Sequence, residues 1–288
     1  MGLVIPQVIT SDRASGAQVI DGSLKFDGTN DYLNRTPGSG DRRTWTLSFW
    51  IKRGIHGTSQ HIIGNYYNSA NDGFNIRFAA DDTLGLFDLS GGSYTNGFNV
   101  ATTQVFRDTG WYHIVVALDT AQSTSTDRLK VYVNGTRVTS FGTTDFPDQN
   151  NEYNFNTTNS LSIGRGGSYD GQYFGGYLSN YYCVDGQALD ASYFGYTDGL
   201  TNTWKPKKYT GTFGTNGFWL PMDGSAPIGQ DKSGKGNNFT PQNFGSSVAL
   251  DNSAVFGAKP ILNTTPGGTQ AGVGVFGSKQ NVGYAVTV

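Results

Sequence analysis

Residues 128–138 read "RLKVYVNGTRV". Val131 and Val133 alternate with Lys130, Tyr132 and Asn134; Asn134-Gly135 then interrupts, and Arg137-Val138 resumes. Period-two alternation broken by Asn-Gly is the strongest short-range mark of a β-hairpin, because both central turn residues must take positive φ. The same letters, Asn134-Gly135-Thr136, also spell a glycosylation acceptor. Asn34, Asn156, Asn238 and Asn263 fit that pattern too, as an Asn- and Thr-rich chain produces by chance. Asn134 is therefore read as a turn residue.

Working outward, the rest of the chain has the same texture. "SLKFDGTNDYLNRT" alternates Leu24 and Phe26 with Lys25, turns at Asp27-Gly28 and restarts at Tyr32-Leu33. "TWTLSFWIKR" places Trp45, Leu47, Phe49 and Ile51 on one face and Thr44, Thr46, Ser48 and Trp50 on the other. "HIIGNYY", "GFNIRFAAD" and "TLGLFDL" are short strands between Asn, Asp and Gly. "GWYHIVVALDT" is a near-continuous apolar run, which suits a central strand covered on both sides. "LSIGR" and "YFGGYLSNYYCVDGQAL" close the series. Short strands with regular turn signals and no long helical period predict an all-β, antiparallel β-sandwich of jelly-roll type. Residues 1–22 form an N-terminal arm, 23–197 the sandwich, and 198–288 an appended β-rich segment. A fragment spanning 23–195 is expected to fold without that tail.

Composition agrees. The 288 residues include 41 Gly and 9 Pro, and 36% are hydrophobic, enough to bury a sizeable core. Glutamate occurs once, at Glu152; the other acidic residues are Asp, a turn and cap residue. Only 15% of residues are charged and the net charge is −2, so the clustered cationic face that nucleic acid requires is not expected. No apolar run approaches the ~20 residues of a membrane helix. "MGLVIPQVITSD" lacks a basic start and meets Pro6 early, so no export leader is expected. The single Cys183 excludes an intrachain disulfide and is read as a buried thiol.

Motifs that carry chemistry are few. Gly272-x-Gly274-x-x-Gly277 matches the dinucleotide fingerprint in letters, but no βαβ unit surrounds it. His56, His61 and His113 lack zinc-ligand spacing and are read as structural or surface residues. The oxygen-rich turns around Asp27 and Asp31, Asp72, Asp81 and Asp82, and Asp170 have the ligand chemistry of calcium, and Asp72 and Asp170 are the candidate ligands. No motif requires a cofactor. The basic turn "WKPKK" (204–208) is read as a solvated one.

Four ordered blocks, "SLKFDGTNDYL", "TWTLSFWIKR", "GWYHIVVALDT…RLKVYVNGTRV" and "LSIGR…YFGGYLSNYYCVDGQAL", resemble the laminin-G-like, concanavalin A-like lectin/glucanase superfamily over residues 23–195. The closing block reads Leu178-Ser179-Asn180 where the family usually carries an acidic residue, so no charged site is carried over there. The glucanase branch places its carboxylate pair in Glu-x-Asp-x-x-Glu or a close variant, and retaining hydrolysis needs two such groups about 5 Å apart. Glu152 stands in a loop and that motif is absent, so no enzyme activity is expected. The wording of the tail, "KPKKYTGTFGTNGFWLPMDG…NNFTPQNFG", further resembles open reading frames of marine bacteriophages, whose products are generally virion components.

The expectation is then a non-enzymatic phage surface protein, made in the host cytoplasm and displayed on the virion. It would hold glycans weakly through Tyr66, Tyr67, Tyr94, Tyr169 and Tyr173 in the Gly/Asn/Ser-rich loops, with copy number raising avidity. Two alternatives stand beside it: a purely structural capsid cement or fibre protein, and a secreted bacterial glycan-binding module. The apolar ends, with "LVIPQVIT" near the start and "GVGVFGSKQNVGYAVTV" at the finish, suggest that at least one terminus pairs with another chain. That chain would be a symmetry mate, most naturally in a trimer, or a neighbouring virion protein; completion of the chain's own sheets is the alternative.

Overall fold

The computed structural model describes residues 22–65, 72–167 and 172–244, together with Gln18 and Ile20. Two antiparallel sheets pack face to face. The first runs in spatial order β1 (Leu24–Asp27), β13 (Gly175–Asp185), β3 (Thr44–Arg53), β8 (Tyr112–Asp119), β9 (Leu129–Val133) and β10 (Thr136–Arg137), with β16 (Phe218–Leu220) also on β13. The second runs β11 (Phe141–Asp145), β7 (Ser93–Val105), β6 (Thr83–Ser90), β5 (Gly73–Phe78), β4 (Gln60–Gly64), β12 (Leu161–Ile163), β2 (Tyr32–Arg35) and β17 (Thr240–Gln242). A small pair, β14 (Gly195–Thr197) and β15 (Trp204–Pro206), stands apart. The expected antiparallel β-sandwich is what forms.

Alternation sorts the side chains. In β3, Trp45, Leu47, Phe49 and Ile51 enter the core between the sheets, where they meet Ile114, Val116 and Leu118 of β8 and Phe74, Ile76 and Phe78 of β5. The central position predicted for "GWYHIVVALDT" holds: β8 lies between β3 and β9, and all of its residues but Asp119 are buried.

The other face of the seven-stranded sheet is also covered. Val115, Tyr182 and Val184 pack against Leu189, Ala191, Phe194, Tyr209 and Phe213, so residues 189–213 form a cap. At its edge Trp50 and Trp111 bury Ile20 of the N-terminal arm. Gln18 exchanges two hydrogen bonds of 3.0 Å with Asn180. The remainder of the arm, and the Gly272–Gly277 motif with the rest of 245–288, lie outside the described residues.

The hairpin at Asn134-Gly135 is confirmed. Asn134 has φ 48° and Gly135 φ 82°, and the strands pair Thr136 with Val133 and Arg137 with Tyr132. Asn134 accepts the His113 amide on its side-chain oxygen at 2.8 Å, so this side chain serves the turn. Gly135 is also needed sterically, since a Cβ there would stand 2.5 Å from the Trp204 indole.

Trp204, read from sequence as part of a basic turn, is an anchor. Its Nε1 donates to His113 Nδ1 at 2.9 Å, which leaves His113 Nε2 protonated to donate to Ser48 Oγ at 2.8 Å. Burial pushes the His113 imidazole down to about 3, so it is neutral across the physiological range. The lysines of the turn are engaged within the chain: Lys205 with Asp198, Lys207 with the Ser192 carbonyl, and Lys208 over the Trp219 ring.

Residues 198–244 are built into the sandwich rather than appended to it. β16 pairs with β13, β17 pairs with β2, and Phe218, Leu220, Phe239 and Phe244 are buried in the central core. Pro241 is tolerated because β17 is an edge strand.

Candidate functional site

The face of the eight-stranded sheet turned away from the core carries a cluster of polar and aromatic side chains. Phe74, Ile76 and Phe78 of β5 point into the core, which turns Asn75 and Arg77 outward. The same alternation turns Phe87 of β6 outward, opposite Asn75 in register. Arg77 lays its guanidinium over the Phe87 ring at 4.8 Å. Across the sheet, Arg165 covers the Tyr32 ring of β2 at 3.7 Å. His61 of β4 lies between these two stacks, its Nδ1 accepting from Asn75 Nδ2 at 2.8 Å. Each guanidinium carbon thus stands over a ring, and both arginines are partly exposed.

Residues 164–167 cross over this face. Asn75 Nδ2 donates to the Gly166 carbonyl at 3.4 Å, and that carbonyl occupies the place a Cβ of Gly64 would need. Arg165 bridges back to Tyr173. The chain can pass this close to β4 only because residue 64 has no side chain.

Of the tyrosines expected to bind, Tyr94 and Tyr173 fall on this face. Tyr94 stands at the start of β7, 37% exposed, its edge against Phe87 at 6.2 Å. Tyr173 is half-buried, 6.2 Å from Tyr32. Tyr66, Tyr67, Tyr169 and Asp170 lie outside the described residues. Asp72 caps the β6–β7 hairpin: its Oδ1 accepts the Gly91 amide and, at 3.3 Å, the Gly92 amide. Among the described residues no group of three or more His, Cys, Asp or Glu could hold a metal.

Sequence reading missed Arg77, Arg165, Tyr32 and Phe87. The signal was present in "GFNIRFAAD", where Asn75 and Arg77 alternate with three core residues.

Glu152 is half-exposed and pairs with Arg42 at 3.3 Å and Arg43 at 3.5 Å. Asp88 is 1% exposed, and burial pushes its carboxyl up to about 7 although Asn154 donates to both oxygens. A carboxyl whose folded pKa exceeds its unfolded value adds stability that is full below ~4 and is lost as pH rises through ~7. Asp88→Asn is therefore expected to remove a decline of order 4 kcal/mol between those limits, whatever constant offset the amide introduces. Urea midpoints of both proteins across pH 4–7 check this: parallel curves would mean that Asp88 does not titrate there.

The family follows from the chain itself. A laminin-G family model, described as concanavalin A-like lectin/glucanases superfamily, matches residues 27–192. This chain belongs to that superfamily. The matched span runs from the end of β1 to the cap of the seven-stranded sheet.

Several solved structures are similar. A heptameric SAP-like pentraxin from Limulus polyphemus is 18% identical, with 61% of this chain and 80% of that chain covered and a TM-score of 0.45. A putative carbohydrate binding protein from Bacteroides ovatus is 17% identical, covering 78% of this chain and 59% of that one, at a TM-score of 0.48. Domains LG4-5 of the mouse laminin α1 chain are 14% identical, covering 68% and 47%, at a TM-score of 0.38. No curated protein matches the sequence.

Proposed function

We propose that this chain is a non-enzymatic, lectin-like protein of a bacteriophage virion surface, and that its eight-stranded sheet holds saccharides. The observation that carries the binding reading is the paired stack: Arg77 on Phe87 and Arg165 on Tyr32, with Tyr94 and Tyr173 beside them on one face. Sugar rings stack on aromatic and guanidinium planes, and guanidinium N–H groups donate to hydroxyls. Superfamily membership supports this reading. The virion setting is supported by the phage-like wording of residues 205–245 and by the low charge. The non-enzymatic reading is supported by the only glutamate being tied to two arginines.

A purely structural role is favoured by a different observation, that Tyr94 and Tyr173 each rest on a neighbouring ring. A glycan array with the full chain separates the two. Binding is expected, with Tyr32→Ala and Arg77→Ala each losing most of the signal; an array on which nothing is retained supports the structural role. Electron microscopy of purified particles is expected to place the protein on their surface, and its absence from them would remove the virion setting.

A further inference from the structure

We propose a second saccharide site, on the opposite sheet, that takes an acidic sugar ring. Lys25 of β1, Tyr177 of β13 and Lys52 of β3 are cross-strand partners in one continuous row. Directly opposed residues on one face place their Cβ atoms roughly 4.5–5.5 Å apart, so a lysine side chain leaves the sheet on each side of Tyr177. The row lies on the solvent side, because Leu24, Phe26, Ile51 and Leu178 point into the core.

Tyr177 packs on that same face against the Ile20, Trp50 and Trp111 cluster. Lys25 is exposed and Lys52 half-buried, and neither has a carboxylate partner among the described residues. Two uncompensated cations beside an aromatic ring suit an anion carried on an apolar ring face.

A groove of about 230 Å³ adjoins the row. Gly54, Gly175 and Gly176 present backbone to it, Ile55 and Tyr177 line it, and Lys25 and Asp27 stand at its rim. Ile55 is 38% exposed there. The carboxylate of Asp27 would oppose an anion, but its Oδ1 accepts the amides of Thr29, Asn30 and Asp31 at 2.8, 3.0 and 3.2 Å. Asp27 stays ionised, so two ammoniums stand against one carboxylate and the local charge is net positive.

The ligand chemistry is a pyranose ring carrying a carboxylate or a sulfate ester. Its ring would stack on Tyr177 while the acidic group lies between the two ammoniums in charge-assisted hydrogen bonds. A neutral sugar would gain only the stacking. This site does not depend on the Tyr32–Arg77 face.

The test is calorimetric titration of the full chain with three probes: an alginate oligosaccharide, a sulfated galactan oligosaccharide and an uncharged dextran oligosaccharide. One or both acidic probes are expected to bind at low salt and to weaken at high salt. The double variant Lys25→Ala, Lys52→Ala is expected to lose at least tenfold in affinity, and Tyr177→Ala a similar factor. Tyr177→Phe keeps the packing and is expected to retain binding, as is Tyr32→Ala on the other sheet. Which acidic probe binds identifies the anion. The proposal is overturned if neither acidic probe binds, if dextran binds as tightly, or if the double lysine variant binds like the unaltered protein. Loss of acidic binding in Tyr32→Ala but not in the lysine variant would assign that binding to the first face instead.

Discussion

A chain that ends at residue 213 is expected to be insoluble or molten, while one that ends at 244 melts cooperatively. The shorter chain lacks β16 and β17 and removes Phe218, Leu220, Phe239 and Phe244 from the central core. Burying one such side chain contributes roughly 1.5–3 kcal/mol, so the set is worth ~6–12 kcal/mol. That is comparable with the entire stability of a typical domain, about 5–15 kcal/mol. Polar partners go as well. Arg35 loses the Asn216 carbonyl, the Asn237 side chain and its stack on Phe239, and Asp185 loses the Asn216 amide. Circular dichroism and thermal melts of both truncations read the outcome. A cooperative melt from the shorter chain would restore the 23–195 unit expected from sequence.

Arg53→Ala is expected to cost about 3–5 kcal/mol, and Asp82→Ala a similar amount, because each leaves a buried charge without its partner. The Arg53 side chain is 0% exposed and meets Asp82, 4% exposed, at 2.9 Å. Its guanidinium also donates to the Phe106 carbonyl at 2.6 Å and lies over Phe78 at 4.3 Å. Asp82 accepts from the Gly57 amide at 2.8 Å and from Arg107 at 2.9 Å. One ion pair therefore ties the end of β3 in one sheet to the β5–β6 turn of the other. Arg107 is 64% exposed, so Arg107→Ala is expected to cost under ~1 kcal/mol.

The Gly57 amide and both guanidiniums hold the Asp82 carboxyl well below the usual range, against its burial. A depressed folded pKa means the contribution is present above ~4 and is lost as pH falls. Urea unfolding of the three variants at neutral and acid pH measures this. Equal losses for Arg53→Ala and Arg107→Ala would refute the buried-pair argument.

The candidate site was half legible. Tyr94 and Tyr173 were identified as loop tyrosines, and both fall on the aromatic face. Arg77 and Arg165 were not, because a stack depends on which residue stands opposite in the sheet. Arg77 reaches Phe87 across two strands that are neighbours in sequence, but Arg165 reaches Tyr32 from more than a hundred residues away.

Strand identity was local and readable: alternation in 44–53 and 129–133, and the continuous apolar run of 112–119, named the strands. The Asn134-Gly135 turn was readable too, since positive φ at two successive residues admits few side chains. Asp27-Gly28 gives a similar signal with another outcome. There Asp27 accepts three successive amides and the chain crosses from β1 in one sheet to β2 in the other. Only the tertiary structure decided that, and also that Trp204 closes on Gly135, that 189–213 caps the seven-stranded sheet and that 218–244 completes both sheets. Local sequence determines whether a segment extends or turns, because backbone sterics act between neighbouring residues. Which extended segment lies beside which is set by burial summed over the whole chain, and no short stretch of sequence contains that sum.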